Sequence, residues 1–78
     1  MVRLILLGPA HEAAGVREDL IEGDTVGAVL ALARARYGEA FAAVLATSQV
    51  WVNGEPAEAA SPVADYDEVA VLPPVSGG

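Results

Sequence analysis

The residues of this chain with the clearest chemical potential stand at its end: Pro73-Pro74-Val75-Ser76-Gly77-Gly78. Glycine loses more backbone freedom on ordering than any other residue, so a Gly-Gly ending packs poorly. It does fit where any Cβ would clash. The two prolines hold the chain extended as it leaves the folded body. Six extended residues reach at most about 20 Å, enough to carry the Gly78 carboxyl into a narrow channel on another protein. An α-carboxyl has a pKa of about 3.5, so at neutral pH it is ionised and inert. It becomes electrophilic only as a mixed anhydride, such as an acyl adenylate made with ATP and magnesium. The chain has no glycine-rich phosphate loop and no lysine to serve one, so activation falls to a partner. The expected role is that of substrate and carrier rather than catalyst, with no cofactor bound by this chain.

Other chemistry is scarce. There are no cysteines, which removes disulfides, thiolate zinc sites and a cysteine nucleophile. The single histidine, His11, makes no metal cluster unaided, and no metal is expected. Eleven acidic residues against four arginines give a net charge of −7. Such a balance lacks the basic footprint of a nucleic-acid binder. It favours either solubility alone or steering toward a basic partner. Without lysine, no ε-amine of the same domain can attack an activated Gly78, which leaves the N-terminal amine; compositional accident is the competing explanation. No apolar run approaches the roughly 18 residues of a membrane span, and "MVRLILLG" lacks the basic leader of a signal peptide. A cytoplasmic location is the expectation.

The elements that must position the arm follow from hydrophobic pattern and turn chemistry. "VRLILL" reads as a strand buried on both faces, ended by Gly8-Pro9. Residues 9–15 read as a connection. Residues 16–22 form a second strand with Val16 and Leu20 on one face, and the two runs resemble a hairpin. Thr25 is placed to cap a helix whose apolar positions are Val26, Val29, Leu30, Ala33 and Tyr37, with Gly38 as its stop. Residues 39–47 make a second, short helical stretch with Phe41, Val44 and Leu45 inward. Val50-Trp51-Val52 runs into Asn53-Gly54, the signature of a type I′ hairpin turn. Trp51 is expected in the core, with a binding aromatic as the alternative. Pro56 and Pro62 confine the segment between this turn and the last strand to edge or loop geometry. "EVAVL" is the last strand, and Pro73-Pro74 cannot continue its ladder. The fold is α+β: a mixed sheet of four to five strands with one main helix across one face. The first and last strands are the natural central neighbours, and if they run parallel the arrangement is a ubiquitin-like β-grasp.

"EAAG" after the first strand, "NGE", and "DEVAVLPPVSGG" together resemble the MoaD/ThiS sulfur-carrier family. The likeness spans the chain and is strongest from Glu68 to Gly78. "PPVSGG" and the seven-residue connection are most similar to the branch of molybdopterin synthase small subunits. The resemblance implies a β-grasp domain over residues 1–74 and a flexible Gly-Gly tail over 75–78. It implies that Gly78 is adenylated by a ubiquitin-activating-like adenylyltransferase, using ATP and magnesium on that partner. A persulfide donor then supplies sulfur and leaves a thiocarboxylate. The tail, with Gly77 as the access residue and Pro73, Pro74, Val75 and Ser76 along the inserted arm, would enter the large synthase subunit and deliver sulfur to the dithiolene of molybdopterin. Two thiocarboxylates per product imply a heterotetramer. Leu7 and Leu72 stand where the family has apolar docking residues; ordinary core is the alternative for both. Sulfur carriage for thiazole or tRNA thiolation, attachment to proteins as a modifier, and an inert interaction module are the other readings. The sequence departs from the family at "GPAHEAAG", which lacks the more usual Ala-Arg-Leu-Arg opening, and at Tyr66, where a turn glycine is common.

Overall fold

The computed structural model describes residues 1–74. The elements run β1 (Val2–Leu6), α1 (Pro9–Ala14), β2 (Glu18–Ile21), α2 (Val26–Tyr37), α3 (Glu39–Leu45), β3 (Gln49–Val52), β4 (Glu55–Pro56) and β5 (Glu68–Leu72). The five strands form one mixed sheet in the order β2-β1-β5-β3-β4. β1 and β5 pair in parallel, with Leu4 opposite Val69 and Leu6 opposite Val71. The remaining pairs are antiparallel. This is the expected β-grasp arrangement: the first and last strands are neighbours near the centre, and β1–β2 and β3–β4 are hairpins.

Alternation decides what each strand buries. Val2, Leu4 and Leu6 of β1, Ile21 of β2, and Val69 and Val71 of β5 are buried on one face. There they meet Val26, Val29, Leu30 and Ala33 of α2, and Phe41 and Leu45 of α3. Thus β1 is buried on one face, not two: Arg3 is exposed and Ile5 half-buried on the other side. The apolar run hid this, because Ile5 continues the hydrophobic string while belonging to the open face.

α2 follows its sequence signals closely. Thr25 Oγ1 accepts the Ala28 N–H at 3.1 Å, and the Gly38 N–H donates to the Arg34 carbonyl. Gly27 has a tertiary reason. Its N–H donates to Ala59 O at 2.8 Å and the Val26 N–H to Ser61 O at 2.9 Å, so a returning loop closes over the helix start. An alanine Cβ at Gly27 would lie 3.1 Å from the same Ala59 oxygen.

Two further expectations are corrected in the connections and in the second strand. Residues 9–15 are not a plain connection, since α1 occupies most of them. Pro9 opens the helix, Ala10 is buried, and Gly15 at φ 80° closes it with its N–H on His11 O. Six residues are too few for helical periodicity to show in the sequence. The second strand is shorter than residues 16–22, and its buried residue is Ile21; Val16 and Leu20 are exposed. At the β3–β4 turn, Asn53 (φ 49°) and Gly54 (φ 85°) take the positive dihedrals their types foretell. Asn53 Oδ1 also accepts the Glu68 N–H, and its Nδ2 donates to Asp67, fixing the turn to the start of β5.

Candidate docking face and arm base

The three helices cover one side of the sheet and leave the other uncovered. Strand registry aligns Glu18, Ile5, Ala70, Trp51 and Pro56 in one row across that open face. In a flanking row Leu72 stands opposite Gln49. Leu7 continues the outward phase of β1, and its N–H donates to Val71 O at 3.1 Å, holding it beside β5. Leu7 is 42% exposed and Leu72 half-buried. Neither is core: both flank the point where β5 ends.

Trp51 corrects the expectation of a core position. It is half-buried on the open face, with its Nε1–H donated to Gln49 Oε1 at 3.1 Å. Its strand neighbours Val50 and Val52 are the ones that pack against the core. The open face therefore has an apolar strip of Leu7, Ile5, Ala70, Trp51 and Leu72, of which sequence reasoning selected Leu7 and Leu72, kept Trp51 as the alternative to core, and missed Ile5 and Ala70. The missed residues had a signal. Arg3 within "VRLILL" and Glu68 within "EVAVL" mark a solvent-facing phase, and Ile5 and Ala70 fall on it. On the row on the opposite side from Leu72 the face turns polar: Arg3 is paired through its guanidinium with Glu18, and stands opposite Leu20 and Glu68. The Glu18 hydrogen bond and charge hold the Arg3 guanidinium above its ordinary value.

The arm begins at the apolar end of this face. Pro73 and Pro74 are exposed and come directly after β5. Val75, Ser76, Gly77 and Gly78 lie outside the described residues, so the positions expected to carry the chemistry are located by the sequence and by the strand that leads to them. His11, on α1, is half-buried. Among the described residues no group of three or more His, Asp or Glu side chains could hold a metal, and no pocket opens. No helix among them is long and apolar enough to cross a membrane. The geometry offers an open sheet face with Pro73 and Pro74 following β5 at its rim and, among the described residues, no enclosed site for a small substrate.

Comparison with known proteins agrees with that geometry. The chain matches the ThiS family over residues 4–78. Among solved structures, SAMP1 from Haloferax volcanii is 32% identical, with 99% of this chain and 98% of that one covered at a TM-score of 0.78. The small archaeal modifier protein 1 of Methanosarcina acetivorans is 28% identical, with 99% and 95% covered at a TM-score of 0.84. A putative molybdopterin converting factor, subunit 1, from Pyrococcus furiosus is 27% identical, with 95% and 97% covered at a TM-score of 0.80. Among curated proteins none matches the chain. With a five-stranded β-grasp sheet, an open apolar face and a family match running to the last residue, the chain belongs to the ThiS family of ubiquitin-like sulfur carriers.

Proposed function

We propose that this protein is the sulfur-carrying small subunit of a molybdopterin synthase, acting in the cytoplasm through a thiocarboxylate on Gly78. The observation that carries the reading is that Pro73 and Pro74, the first residues of "PPVSGG", come directly after β5, which ends at the apolar rim of a sheet face that no described helix covers. The likeness to the Pyrococcus furiosus converting-factor subunit supports it. An adenylyltransferase joins the Gly78 carboxylate to AMP and releases pyrophosphate. The terminal sulfur of a donor persulfide attacks the adenylate and expels AMP, leaving an acyl disulfide. A thiol then attacks that S–S bond, forms a disulfide with the donor sulfur and releases the thiocarboxylate, a stronger nucleophile than the carboxylate. The arm then enters the large synthase subunit, which supplies the catalytic side chains. Leu7 and Leu72, with Trp51 and Ile5 beside them, hold the body of the carrier against that subunit. Two sulfurs per dithiolene require two charged carriers, hence a heterotetramer.

A second reading is favoured by the likeness to SAMP1: the same activated terminus passes to a lysine of another protein, as a modifier. Because the chain has no lysine, such conjugates could not extend into lysine-linked chains of itself. The test is intact-mass spectrometry after coexpression with an adenylyltransferase, followed by incubation with large synthase subunit and the cyclic precursor. The expected result is a mass gain matching one oxygen replaced by sulfur, consumed as molybdopterin forms. Deleting Gly78 should abolish the gain and leave the thermal midpoint unchanged, since the buried core runs from Val2 to Val71. Higher-mass protein conjugates in place of molybdopterin would establish the modifier. Absence of both the mass gain and any conjugate would overturn both readings.

A further inference from the structure

We propose that Asp19, with Arg36, closes the outer edge of β2 against a second copy of this chain, which would otherwise add its own β2 there and continue the sheet. The five-stranded sheet has two edges, and an unpaired edge is a template for another strand. One edge is β4, only two residues long, and its Pro56 has no N–H to offer. The other is β2, four residues long. The Leu6 N–H donates to Arg17 O at 2.8 Å, which fixes the phase of the β1–β2 ladder. Arg17, Asp19 and Ile21 turn their backbone groups toward β1, and Glu18 and Leu20 turn theirs outward.

Both outward groups of Leu20 are taken by side chains. Its N–H donates to Asp19 Oδ1 at 2.8 Å, and its carbonyl accepts Arg36 Nη1 at 3.1 Å. The same Arg36 nitrogen donates to Asp19 Oδ2 at 2.8 Å, and the Tyr37 hydroxyl donates to that oxygen as well. Arg36 and Tyr37 end α2, so the helix terminus holds the clamp on the strand. An incoming strand must break these bonds before it can make its own. The occupant kept out is a second copy. A two-fold axis through Leu20 would exchange both N–H···O bonds between the two Leu20 residues. It would also set side by side two leucine side chains that are each 55% exposed in the single chain. The same register opposes Glu18 of one copy to Glu22 of the other, a repulsion that resists pairing until salt screens it. With both edges closed, the open face is what the sheet leaves to a partner, whichever carrier reading holds.

The test compares the double variant Asp19→Ala, Arg36→Ala with Asp19→Asn, which keeps an oxygen for the Leu20 N–H. Neither Asp19 nor Arg36 belongs to the buried core, so the double variant is expected to fold. Hydrogen exchange at the Leu20 amide of dilute protein reads the clamp. The rate should rise about tenfold in the double variant, the factor for losing one hydrogen bond to a charged group, and change far less in Asp19→Asn. Equal Leu20 rates in wild type and the double variant would overturn the proposal. Sedimentation velocity in about 1 M salt, where the screening length is about 3 Å, reads pairing. The double variant should dimerise as its concentration rises, while wild type and Asp19→Asn stay monomeric. Adding Leu20→Pro removes the N–H that the second copy needs and should abolish the dimer. Three results would each overturn the proposal: a double variant that exchanges fast yet stays monomeric, a dimer that survives Leu20→Pro, and a wild-type dimer that Leu20→Pro disrupts.

Discussion

Asp19 shows how much one half-buried carboxylate can organise. It accepts hydrogen bonds from the Tyr37 hydroxyl, from Arg36 Nη1 at 2.8 Å and from the Leu20 N–H at 2.8 Å, tying the end of α2 to β2. Tyr37 also meets Phe41 edge to face, with ring centroids 5.1 Å apart. The Tyr37 hydrogen bond, then that of Arg36, holds the Asp19 carboxyl below its ordinary value. A depressed carboxyl adds stability above its unfolded pKa of about 3.9, and that share is lost as pH falls through the lower folded value. Burial, then the Asp19 bond, pushes the Tyr37 hydroxyl up to about 12. Its stabilising share is complete below about pH 10, the unfolded value, and is lost as pH rises through the folded one. Tyr37→Phe keeps the ring and removes the donor, at a cost of about 1 kcal/mol. Urea unfolding at neutral and acid pH should show a smaller acid loss in that variant, although Asp67, bonded by the Ala64 N–H and Asn53, keeps its own share. An identical acid loss in both proteins would show that Tyr37 does not govern Asp19.

At the scale of elements, glycines report where pieces touch. An alanine methyl at Gly23 would lie 2.6 Å from Val29 Cγ2 and 2.9 Å from Val29 N, between the end of β2 and the first turn of α2. Gly23→Ala is expected to cost about 1–3 kcal/mol, the usual range for overpacking. Gly27→Ala is subtler, because alanine in a helix is favoured by about 1 kcal/mol. Here the new methyl meets Ala59 O at 3.1 Å, in the loop whose carbonyl satisfies the Gly27 N–H. The gain should vanish, and calorimetry should find no rise in the thermal midpoint. A rise of several degrees would mean the loop yields freely.

At the scale of the molecule, the sheet has one covered face and one open face, and the arm begins at the rim of the open one. Leu72→Asp would place an unpaired charge in any interface formed there, and affinity for the proposed partner, a large synthase subunit, should fall more than tenfold while the thermal midpoint moves little. Trp51 is the single tryptophan of the chain, so its fluorescence reports docking without a label. Partner binding should shift its emission, and titration with unchanged emission and unchanged Leu72→Asp affinity would move the interface elsewhere. The net charge of −7 favours a basic partner surface, so association should slow as salt screens it.

Several features were legible in the sequence because each is decided within a few residues. The Thr25 cap and Gly38 stop of α2, the Asn53-Gly54 turn, and the proline end of β5 all depend on local dihedrals and hydrogen bonds. The arm and its chemistry are an expectation of the same local kind, drawn from "PPVSGG" alone, and Val75, Ser76, Gly77 and Gly78 lie outside the described residues. What only the tertiary structure decided was which side of each strand met the helices. Val50 and Trp51 are equally apolar neighbours on one strand, yet Val50 packs toward the core and Trp51 lies on the open face. A period of two fixes that adjacent residues face opposite ways, but which phase is buried depends on where the helices land. α1 was hidden likewise, because six residues show no helical period and what it packs against, α3, lies far along the chain.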